Sequence, residues 1–433
     1  MYLTDRSAPP KAGAADQGRR RGPVSGVAPV VLVLGTVSLI TDISSEMVTA
    51  VLPLYLVTTL GFSPLGFGTL DGVYNGVSAL VQLTGGHLAD RVRNHKLMAG
   101  LGYGLSALCK PLLLLAGSVG ALGTVLALDR TGKGLRTAPR DAMISLSTPA
   151  GRQGRAFGVH RAMDTTGALL GPLTAFLILR AAADGYDAVF GVSACVAVLG
   201  VLVLVLFVPG KRRAPDPPGT PGAGGAAAEE GAVGRQPVRV REALALLRLP
   251  RLRALAGCAA LLGLTTVSDA FVYLLLQRRA GIAEEWFPLL PLGTAAVFLL
   301  LAVPVGALAD RIGRRTVFLA GHAVLLTGYA LLLWAPAAPA LPFLVLALHG
   351  VFYAATDGVL PAALAGVVPD HLRASGLAIV GTSQALARFC CSLAFGAAWT
   401  LWGPGPALAG SAAGLLCCAV VAGVVLRPAD EAR

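Results

Sequence analysis

A short string of residues occurs twice in this chain and divides it into two comparable halves. Residues 86–91 read GHLADR and residues 306–311 read GALADR, and each copy lies between two long apolar segments. The two aspartates, Asp90 and Asp310, are 220 positions apart (310 minus 90) in a chain of 433 residues. A repeat of this length indicates a duplicated unit rather than a short-period solenoid. Two related halves made of membrane helices are typical of proteins whose halves rock around a central site.

The amount of apolar sequence requires a lipid environment. The chain is 55% hydrophobic and 13% charged, with a mean hydropathy of +0.71, whereas soluble domains are about 25% charged. A helix needs about 20 apolar residues to cross a bilayer. Twelve candidate spans are found, over residues 28–58, 65–88, 97–117, 120–143, 156–180, 187–208, 252–277, 286–309, 316–335, 341–364, 374–399 and 405–427. The sequence therefore predicts an all-α membrane protein with twelve transmembrane helices in two pseudo-symmetric six-helix halves.

The composition between the spans predicts the domain boundaries. Residues 1–26 are polar and basic, which predicts a disordered cytoplasmic tail. Residues 209–251 are crowded with Pro, Gly and Ala and become basic towards their end, which predicts a cytoplasmic linker. The two six-helix halves are then residues 27–208 and 252–427, and residues 428–433 form a second cytoplasmic tail.

Basic residues are concentrated on one side of the predicted membrane. If the N-terminus is cytoplasmic, the loops on that side contain Arg19, Arg20, Arg21, Arg91, Arg93, Lys96, Arg152, Arg155, Lys211, Arg212, Arg213, Arg311, Arg314, Arg315 and Arg373. This is the positive-inside distribution, and it predicts a multi-pass protein of the cytoplasmic membrane with both termini cytoplasmic. It also accounts for the net charge of +12 without a nucleic-acid partner. The four tryptophans fall at predicted outer ends, as in an interfacial aromatic belt: Trp286, Trp334, Trp399 and Trp402.

The sequence offers no pattern for a cofactor, a metal or an enzyme active site. All seven cysteines fall inside predicted spans without metal-ligand spacing. A Gly-rich phosphate loop followed by Lys and Ser or Thr is missing, and no nucleophile–base pattern stands out. We therefore expect a non-enzymatic protein without a cofactor or metal, driven by the proton gradient. The expected partners are the lipid bilayer, a small-molecule substrate and protons, with a monomer as the functional form.

Charged residues inside the spans predict a polar cavity. Each such residue costs at least about 2.5–3.5 kcal/mol in hydrocarbon, so it normally faces a partner or water. The sixth, ninth and twelfth spans are nearly all apolar, and the third is apolar except for Lys110, so every third helix is predicted to face lipid. The candidate residues for proton coupling or a substrate cavity are Asp42, Glu46, Asp71, Lys110, Asp129, Arg130, Lys133, Arg136, Arg161, Asp164, Asp269, Asp357 and Arg388.

Two interpretations of these interior charges remain open. They form either a fixed ion-pair network that holds the bundle together or a proton relay. Asp42 and Glu46 are the best relay candidates, because they lie one helical turn apart in mid-span and two adjacent carboxylates disfavour double ionisation. Arg130 or Lys133 would be the partner that switches between conformations, and Asp164 is the next candidate carboxylate. For His160, His322 and His349 a structural role is favoured over proton transfer.

The second copy of the repeat is longer than the first and reads GALADRIGRR over residues 306–315. With this motif the chain resembles the major facilitator superfamily. The first copy matches the family signature through Arg91 and then departs from it. The resemblance implies the twelve-helix fold of that family and a gate in which the signature latches the cytoplasmic side in the outward-open state. The residues assigned to this gate by resemblance are Gly86, Asp90, Arg91, Gly306, Asp310, Arg311, Gly313 and Arg314.

Two further patterns carry the resemblance. Residues 126–134 read LALDRTGKG, with Arg130 at the centre. This segment is similar to a fourth-helix pattern that the family links to proton transfer. In the fifth span, Gly158, Gly167, Gly171 and Pro172 are similar to the antiporter pattern of the family, and they are assigned to helix packing. Residues 41–46 and 132–141 are typical of a broad prokaryotic branch of permeases without a single substrate.

The leading functional hypothesis is a secondary active transporter that exports a small molecule in exchange for protons by alternating access. One alternative is proton-coupled uptake of an anionic metabolite held by Lys110, Lys133 and Arg136. An alternative of another class is a membrane sensor that does not transport.

Overall fold

The computed structural model describes residues 28–91, 94–148, 153–182, 185–209, 248–336, 338–357, 368 and 373–426. Within these residues the chain forms thirteen α-helices and no strand. They are α1 (Pro29–Leu54), α2 (Pro64–Arg91), α3 (His95–Leu115), α4 (Val119–Leu146), α5 (Gln153–Ala181), α6 (Gly185–Phe207), α7 (Pro250–Gly263), α8 (Asp269–Ala280), α9 (Leu289–Ile312), α10 (Arg314–Trp334), α11 (Leu341–Thr356), α12 (Arg373–Trp402) and α13 (Pro404–Val425). The predicted tails and most of the predicted linker lie outside the described residues.

The helices make twelve membrane spans in two six-helix halves, as the sequence predicts. Eight described segments are long and apolar enough to cross a membrane: α1 with the π-helical turn that follows it, α3, α5, α6, α9, α10, α12 and α13. The other four spans are α2, α4, the pair α7 and α8, and α11. The hydropathy of α4 is low because Asp129, Arg130, Lys133 and Arg136 lie within it, and α11 is 16 residues long.

The chain returns to its starting side after six and after twelve spans. We call the side where α1 begins and where α6 and α13 end the terminal face, and the opposite side the distal face. Apolar side chains of α6 and α13 are exposed where lipid would contact them, including Leu206 at 71% and Val420 at 60% exposure. This agrees with the lipid-facing role expected of the sixth and twelfth spans.

The seventh span is broken, whereas the sequence predicted one continuous span over residues 252–277. Residues Leu264–Ser268 separate α7 from α8. The hydroxyl of Thr266 donates to the carbonyl of Leu262 at 2.8 Å, so it satisfies a carbonyl at the end of α7. The freed backbone N–H of Val267 donates to the Tyr329 hydroxyl at 2.8 Å. Broken helices persist at membrane depth where neighbours satisfy the backbone and the break lines a cavity.

Glycines let α5 pack closely on α1 in the first half. A Cβ at Gly167 would lie 2.5 Å from the Leu39 carbonyl oxygen, and one at Gly171 would lie 2.7 Å from the Cβ of Glu46. Both positions therefore permit close approach of the two backbones, as the sequence predicted. Pro172 is buried within the same helix. The assignment of Gly158 to this packing is wrong, because a Cβ there would meet no atom within 4 Å.

The two halves contact each other at the distal face through α2 and α12. A Cβ at Gly396 would lie 2.5 Å from the Pro64 carbonyl oxygen, and a Cβ at Gly68 would overlap the backbone of Ser392. The backbone N–H of Leu65 donates to the Thr400 hydroxyl at 3.0 Å. These contacts involve backbone atoms on both sides, so the halves meet closely along this seam.

Aromatic residues add to the distal closure. The ring of Phe271 lies between those of Phe67 and Phe395, at centroid distances of 4.7 and 4.8 Å. Trp399 packs on the same group and is 6% exposed, so it does not belong to an exposed aromatic belt as the sequence suggested. The other three tryptophans are exposed: Trp286, Trp334 and Trp402.

Candidate functional site

A cavity of about 420 Å³ lies between the two halves. Its described walls come from α1 and α2 of the first half and from α8, α9, α11, α12 and the break before α8 in the second half. They carry four carboxylates and one guanidinium, from Glu46, Asp71, Asp269, Asp357 and Arg388. They also carry five aromatic rings, from Tyr74, Tyr273, Phe287, Phe298 and Tyr353. A site with walls from both halves is the arrangement that alternating access requires.

A smaller cavity of about 140 Å³ continues from this one towards the terminal face. The two share Thr266, Asp357 and Arg388, and the smaller cavity is also lined by His322 and Gln384. The smaller cavity therefore extends the site towards the terminal face.

Asp269 is the best-organised carboxylate of the cavity. It is the first residue of α8, where the helix dipole favours a negative charge. Its Oδ1 accepts hydrogen bonds from His349 Nε2 at 3.0 Å and from the Tyr353 hydroxyl at 2.6 Å. The side chain is nevertheless 43% exposed. The break in the seventh span thus positions a carboxylate that is held by neighbours yet open to the cavity.

Asp71 on α2 joins the two halves at the cavity wall. Its Oδ2 accepts a hydrogen bond from the Ser392 hydroxyl of α12 at 2.5 Å. Ser392 is also the residue whose backbone lies against Gly68 at the distal seam. The same carboxylate therefore lines the site and contacts the closed side of the bundle.

Arg388 is the single cation among the described residues that line the cavity. Its charge interacts with Asp71, Asp269 and Asp357, but it forms no salt bridge with a carboxylate in the described part of the chain. It lies where the two cavities meet.

The first-half wall carries the pair Glu46 and Lys133. Lys133 Nζ lies 3.7 Å from Glu46 Oε1, and both side chains are partly exposed, at 39% and 27%. This is the partnership that the sequence proposed for Glu46. The other proposed partner, Arg130, points to a different carboxylate.

Three of the other interior charges form a buried network inside the first half. Asp129 accepts hydrogen bonds from Ser106 at 2.5 Å, Lys110 at 3.0 Å and Arg130 at 2.6 Å, and every member is at most 5% exposed. The Arg130 guanidinium also stacks on the ring of Tyr74, with its Cζ 4.1 Å from the centroid. Tyr74 lines the cavity, so the network contacts the site through this ring.

A second group of charges lies nearer the terminal face. Arg136 donates to Asp42 at 3.3 Å and stacks on Tyr103 at 4.5 Å. Arg140 contacts Asp141 at 3.0 Å and Asp164 at 3.7 Å, and Arg161 lies 3.8 Å from Asp164. Seven ion pairs join described residues of the first half, against two in the second half.

The structure thus separates the thirteen candidate residues into two sets. Those at the cavity are Glu46, Asp71, Asp269, Asp357 and Arg388. Those that do not line it are Asp42, Lys110, Asp129, Arg130, Lys133, Arg136, Arg161 and Asp164. Of these, Lys133 lies beside the cavity wall through its pair with Glu46, and Arg161 is 81% exposed. Asp42 forms its ion pair with Arg136, and Glu46 forms its ion pair with Lys133.

Sequence reasoning missed part of the cavity wall. His349 has the hydrogen-bonded structural role that the sequence favoured, since it holds Asp269, but other residues were missed. Phe287, Thr294 and Phe298 on and before α9 were not selected, because the eighth span has an apolar sequence without charges until Asp310. Thr294 was the one polar residue in the first two turns of that helix that could have marked its cavity side.

The gate residues of the second copy lie at the terminal face. Asp310 is 68% exposed, and Arg314 contacts it at 3.3 Å within the same turn. Gly313 separates α9 from α10 with a φ of +96°, a conformation that favours glycine. Gly306 has open space around it and Arg311 is exposed. The side chains of Gly86, Asp90 and Arg91 in the first copy lie outside the described part of the chain.

Comparison with known proteins decides the family. The sequence profile of the Major Facilitator Superfamily matches residues 34–300 and 287–433. The chain belongs to the major facilitator superfamily. Its membership makes it a membrane transporter, and the twelve-span, two-half architecture is the one that this superfamily shares.

Curated relatives of this major facilitator protein include an archaeal one. The chain is 29% identical over 382 residues to the uncharacterized MFS-type transporter MJ1317 of Methanocaldococcus jannaschii, covering 86% of this chain and 88% of the relative. It is 32% identical over 187 residues to the uncharacterized protein Rv2265 of Mycobacterium tuberculosis, covering 43% of this chain and 45% of that protein.

Solved structures of transporters share the fold. The nucleoside transporter NupG aligns with a TM-score of 0.74 at 12% identity, over 92% of this chain and all of that one. A bacterial homologue of the human lysosomal transporter Spinster, in an inward-facing and unoccupied conformation, aligns with a TM-score of 0.67 at 17% identity, over 92% and 94%. At these identities the likeness establishes the major facilitator fold alone.

Proposed function

We propose that this protein is a secondary active transporter that exports a small molecule in exchange for protons by alternating access. The observation that carries the proposal is the cavity between the halves, whose walls hold four carboxylates from α1, α2, α8 and the end of α11. Because the walls belong to different halves, rocking of one half against the other would expose the site to either face. Carboxylates within membrane spans are the groups that proton-driven transporters use as relays.

The contacts between the halves support alternating access. The distal face is closed by the α2–α12 seam and the aromatic residues around Phe271. At the terminal face, Asp310 of the second signature is 68% exposed and pairs with Arg314. In this proposal, the exposed Asp310 latches the terminal side in the opposite state. The terminal face is cytoplasmic in this proposal, following the distribution of basic residues.

Glu46 is the proposed proton carrier of the first-half wall. It lines the cavity and faces Lys133 at 3.7 Å, whereas Asp42 is buried against Arg136. Protonation of Glu46 would remove its attraction for Lys133, and loss of that contact would change the charge that the cavity presents. Asp42 contributes by keeping Arg136 away from Glu46.

Uptake of an anionic metabolite is less well supported. The three cations proposed for it are Lys110, Lys133 and Arg136. Lys110 is bound to Asp129 and Arg136 to Asp42, and both are at most 3% exposed. Neither is available to a ligand in the cavity in this conformation.

Proton flux and solute flux measured together test the proposal. Solutes are first selected by thermal stabilisation of the purified protein, and the protein is then reconstituted in liposomes that contain a pH-sensitive dye. A transported solute should move protons in the opposite direction, and a proton gradient should drive the solute against its own gradient. Protein-free liposomes and a protonophore are the controls. Solute counterflow without any proton movement would refute the coupling, and the absence of counterflow for every stabilising solute would refute transport.

A further inference from the structure

The described cavity wall has an excess of negative charge. It contains four carboxylates and one cation, Arg388. Glu46 has Lys133 beside it, whereas Asp71 takes its hydrogen bond from the Ser392 hydroxyl, and Asp269 takes one from the Tyr353 hydroxyl and one from His349. Hydroxyl donors fix the position of a carboxylate without cancelling its charge. A ligand with a positive charge would supply the missing counter-charge.

The remainder of the wall suits the body of such a ligand. The rings of Tyr74, Tyr273, Phe287, Phe298 and Tyr353 line the cavity. Aromatic faces attract cations and also bury the apolar part of a small organic molecule. A volume of about 420 Å³ is in the range of small-molecule sites, which is about 300–1,000 Å³.

We propose that the cavity recognises an organic monocation, an amine or related nitrogen base with an aromatic or apolar body, with its charged group held by Asp269 and Asp71. The proposal rests on the proposed transport function and names the substrate class of the same site. An anion would face repulsion from the carboxylates, and a neutral molecule would leave their charge uncompensated. The ammonium would take the place next to Asp269 that the break between α7 and α8 opens to the cavity.

Three probes of matched shape and different charge test this inference. They are 3-phenylpropylammonium, 3-phenylpropan-1-ol and 3-phenylpropionate, and their binding to the purified full-length protein is measured by thermal shift and equilibrium titration. The cation should bind at least about tenfold more tightly than the alcohol, which corresponds to about 1.4 kcal/mol. The carboxylate should bind most weakly. Tightest binding of the carboxylate, or equal binding of all three probes, would overturn the inference.

Single-residue variants test whether Asp269 and Asp71 recognise the cation. Asp269→Asn should remove most of the preference for the cation, and Asp71→Asn should reduce it separately, so one variant suffices if the other fails to fold. Asp187→Asn is the matched control, because it removes the same charge from an exposed position at the start of α6. A preference for the cation that survives in both cavity variants would contradict the assignment.

The binding result and the transport result are separable. Binding of the cation that depends on Asp269, without proton-coupled counterflow, would support the substrate class and count against the proposed export function. Proton-coupled transport of neutral or anionic solutes, with no preference for the cation, would support export and refute the substrate class.

Discussion

At the scale of single residues, the interior charges have two different surroundings. Asp129 is enclosed by three donors and is 4% exposed, whereas Asp269 is held by two donors and remains 43% exposed. An enclosed carboxylate with two cationic partners stabilises the fold of the first half. An accessible one held by a histidine and a tyrosine is available to a ligand or a proton.

Removal of the Asp129 charge should strongly destabilise the protein. Asp129→Asn would leave Lys110 and Arg130 buried without their counter-charge, and a broken buried pair costs about 3–5 kcal/mol. Thermal unfolding in detergent measures the effect. Asp141→Asn is the control, because its pair with Arg140 is 43% exposed on the Asp141 side, and exposed pairs contribute about 0–1 kcal/mol. Equal melting temperatures of the two variants would show that the buried network does not stabilise the fold.

Loss of the proton carrier should separate coupled transport from exchange. Asp42→Asn and Glu46→Gln should lower pH-driven transport, because each removes a charge that faces a cation in the first half. Counterflow should persist, since exchange requires no net proton movement. The larger loss is expected for Glu46→Gln, since Glu46 lines the cavity. Full pH-driven transport in both single variants and in the double variant would exclude this pair as the relay, and Asp164 would become the next candidate.

At the scale of helices, residue type alone did not decide the contacts. Gly158 and Gly167 belong to the same sequence pattern, but only Gly167 lies against another backbone. The sequence places a residue along a helix, and the direction in which the residue points depends on how the whole bundle packs. For the same reason, the sequence identified the charges of α4 as interior but did not predict which of them lie near the cavity and which lie in the buried network. The break at Leu264–Ser268 was missed because its polar residues also fit an amphipathic helix.

Opposite effects are expected for alanine at the two glycines. Gly167→Ala should lower stability by about 1–3 kcal/mol, because its Cβ would lie 2.5 Å from the rigid Leu39 carbonyl. Gly158→Ala should raise stability by about 0.5–1 kcal/mol, because the site is open and Ala favours the helix. Melting temperatures of the purified variants measure both. A loss of stability in Gly158→Ala would mean that this glycine has a packing partner after all.

At the scale of the whole molecule, the twelve-span architecture followed from the sequence, since apolar length and the repeated signature are global features. The sequence did not predict which face of the bundle is closed in this conformation. The structure closes the distal face and leaves the second signature exposed at the terminal face. Which face is open depends on contacts between helices that are far apart in sequence, such as Leu65 with Thr400.

A change at the exposed signature should affect the cycle more than binding. Asp310→Asn should leave equilibrium binding of a substrate nearly unchanged, because Asp310 is 68% exposed and does not line the cavity. Turnover should fall, because the opposite state would lose its latch. Binding titration and counterflow rates on the same preparation measure the two effects. A weaker affinity with normal turnover would contradict the gate assignment.

The uneven distribution of ion pairs gives the two halves different mechanical stiffness. The first half is cross-linked by the Asp129 network and by the pairs of Asp42 and Asp164, whereas the second half has a broken span and two ion pairs among its described residues. In hydrogen exchange, amides of α3 and α4 should therefore exchange more slowly than those around Leu264–Ser268. When a stiff half and a compliant half rock against each other, the two halves do not deform to the same extent. We expect the compliant half to deform and the stiff half to serve as the frame against which it moves.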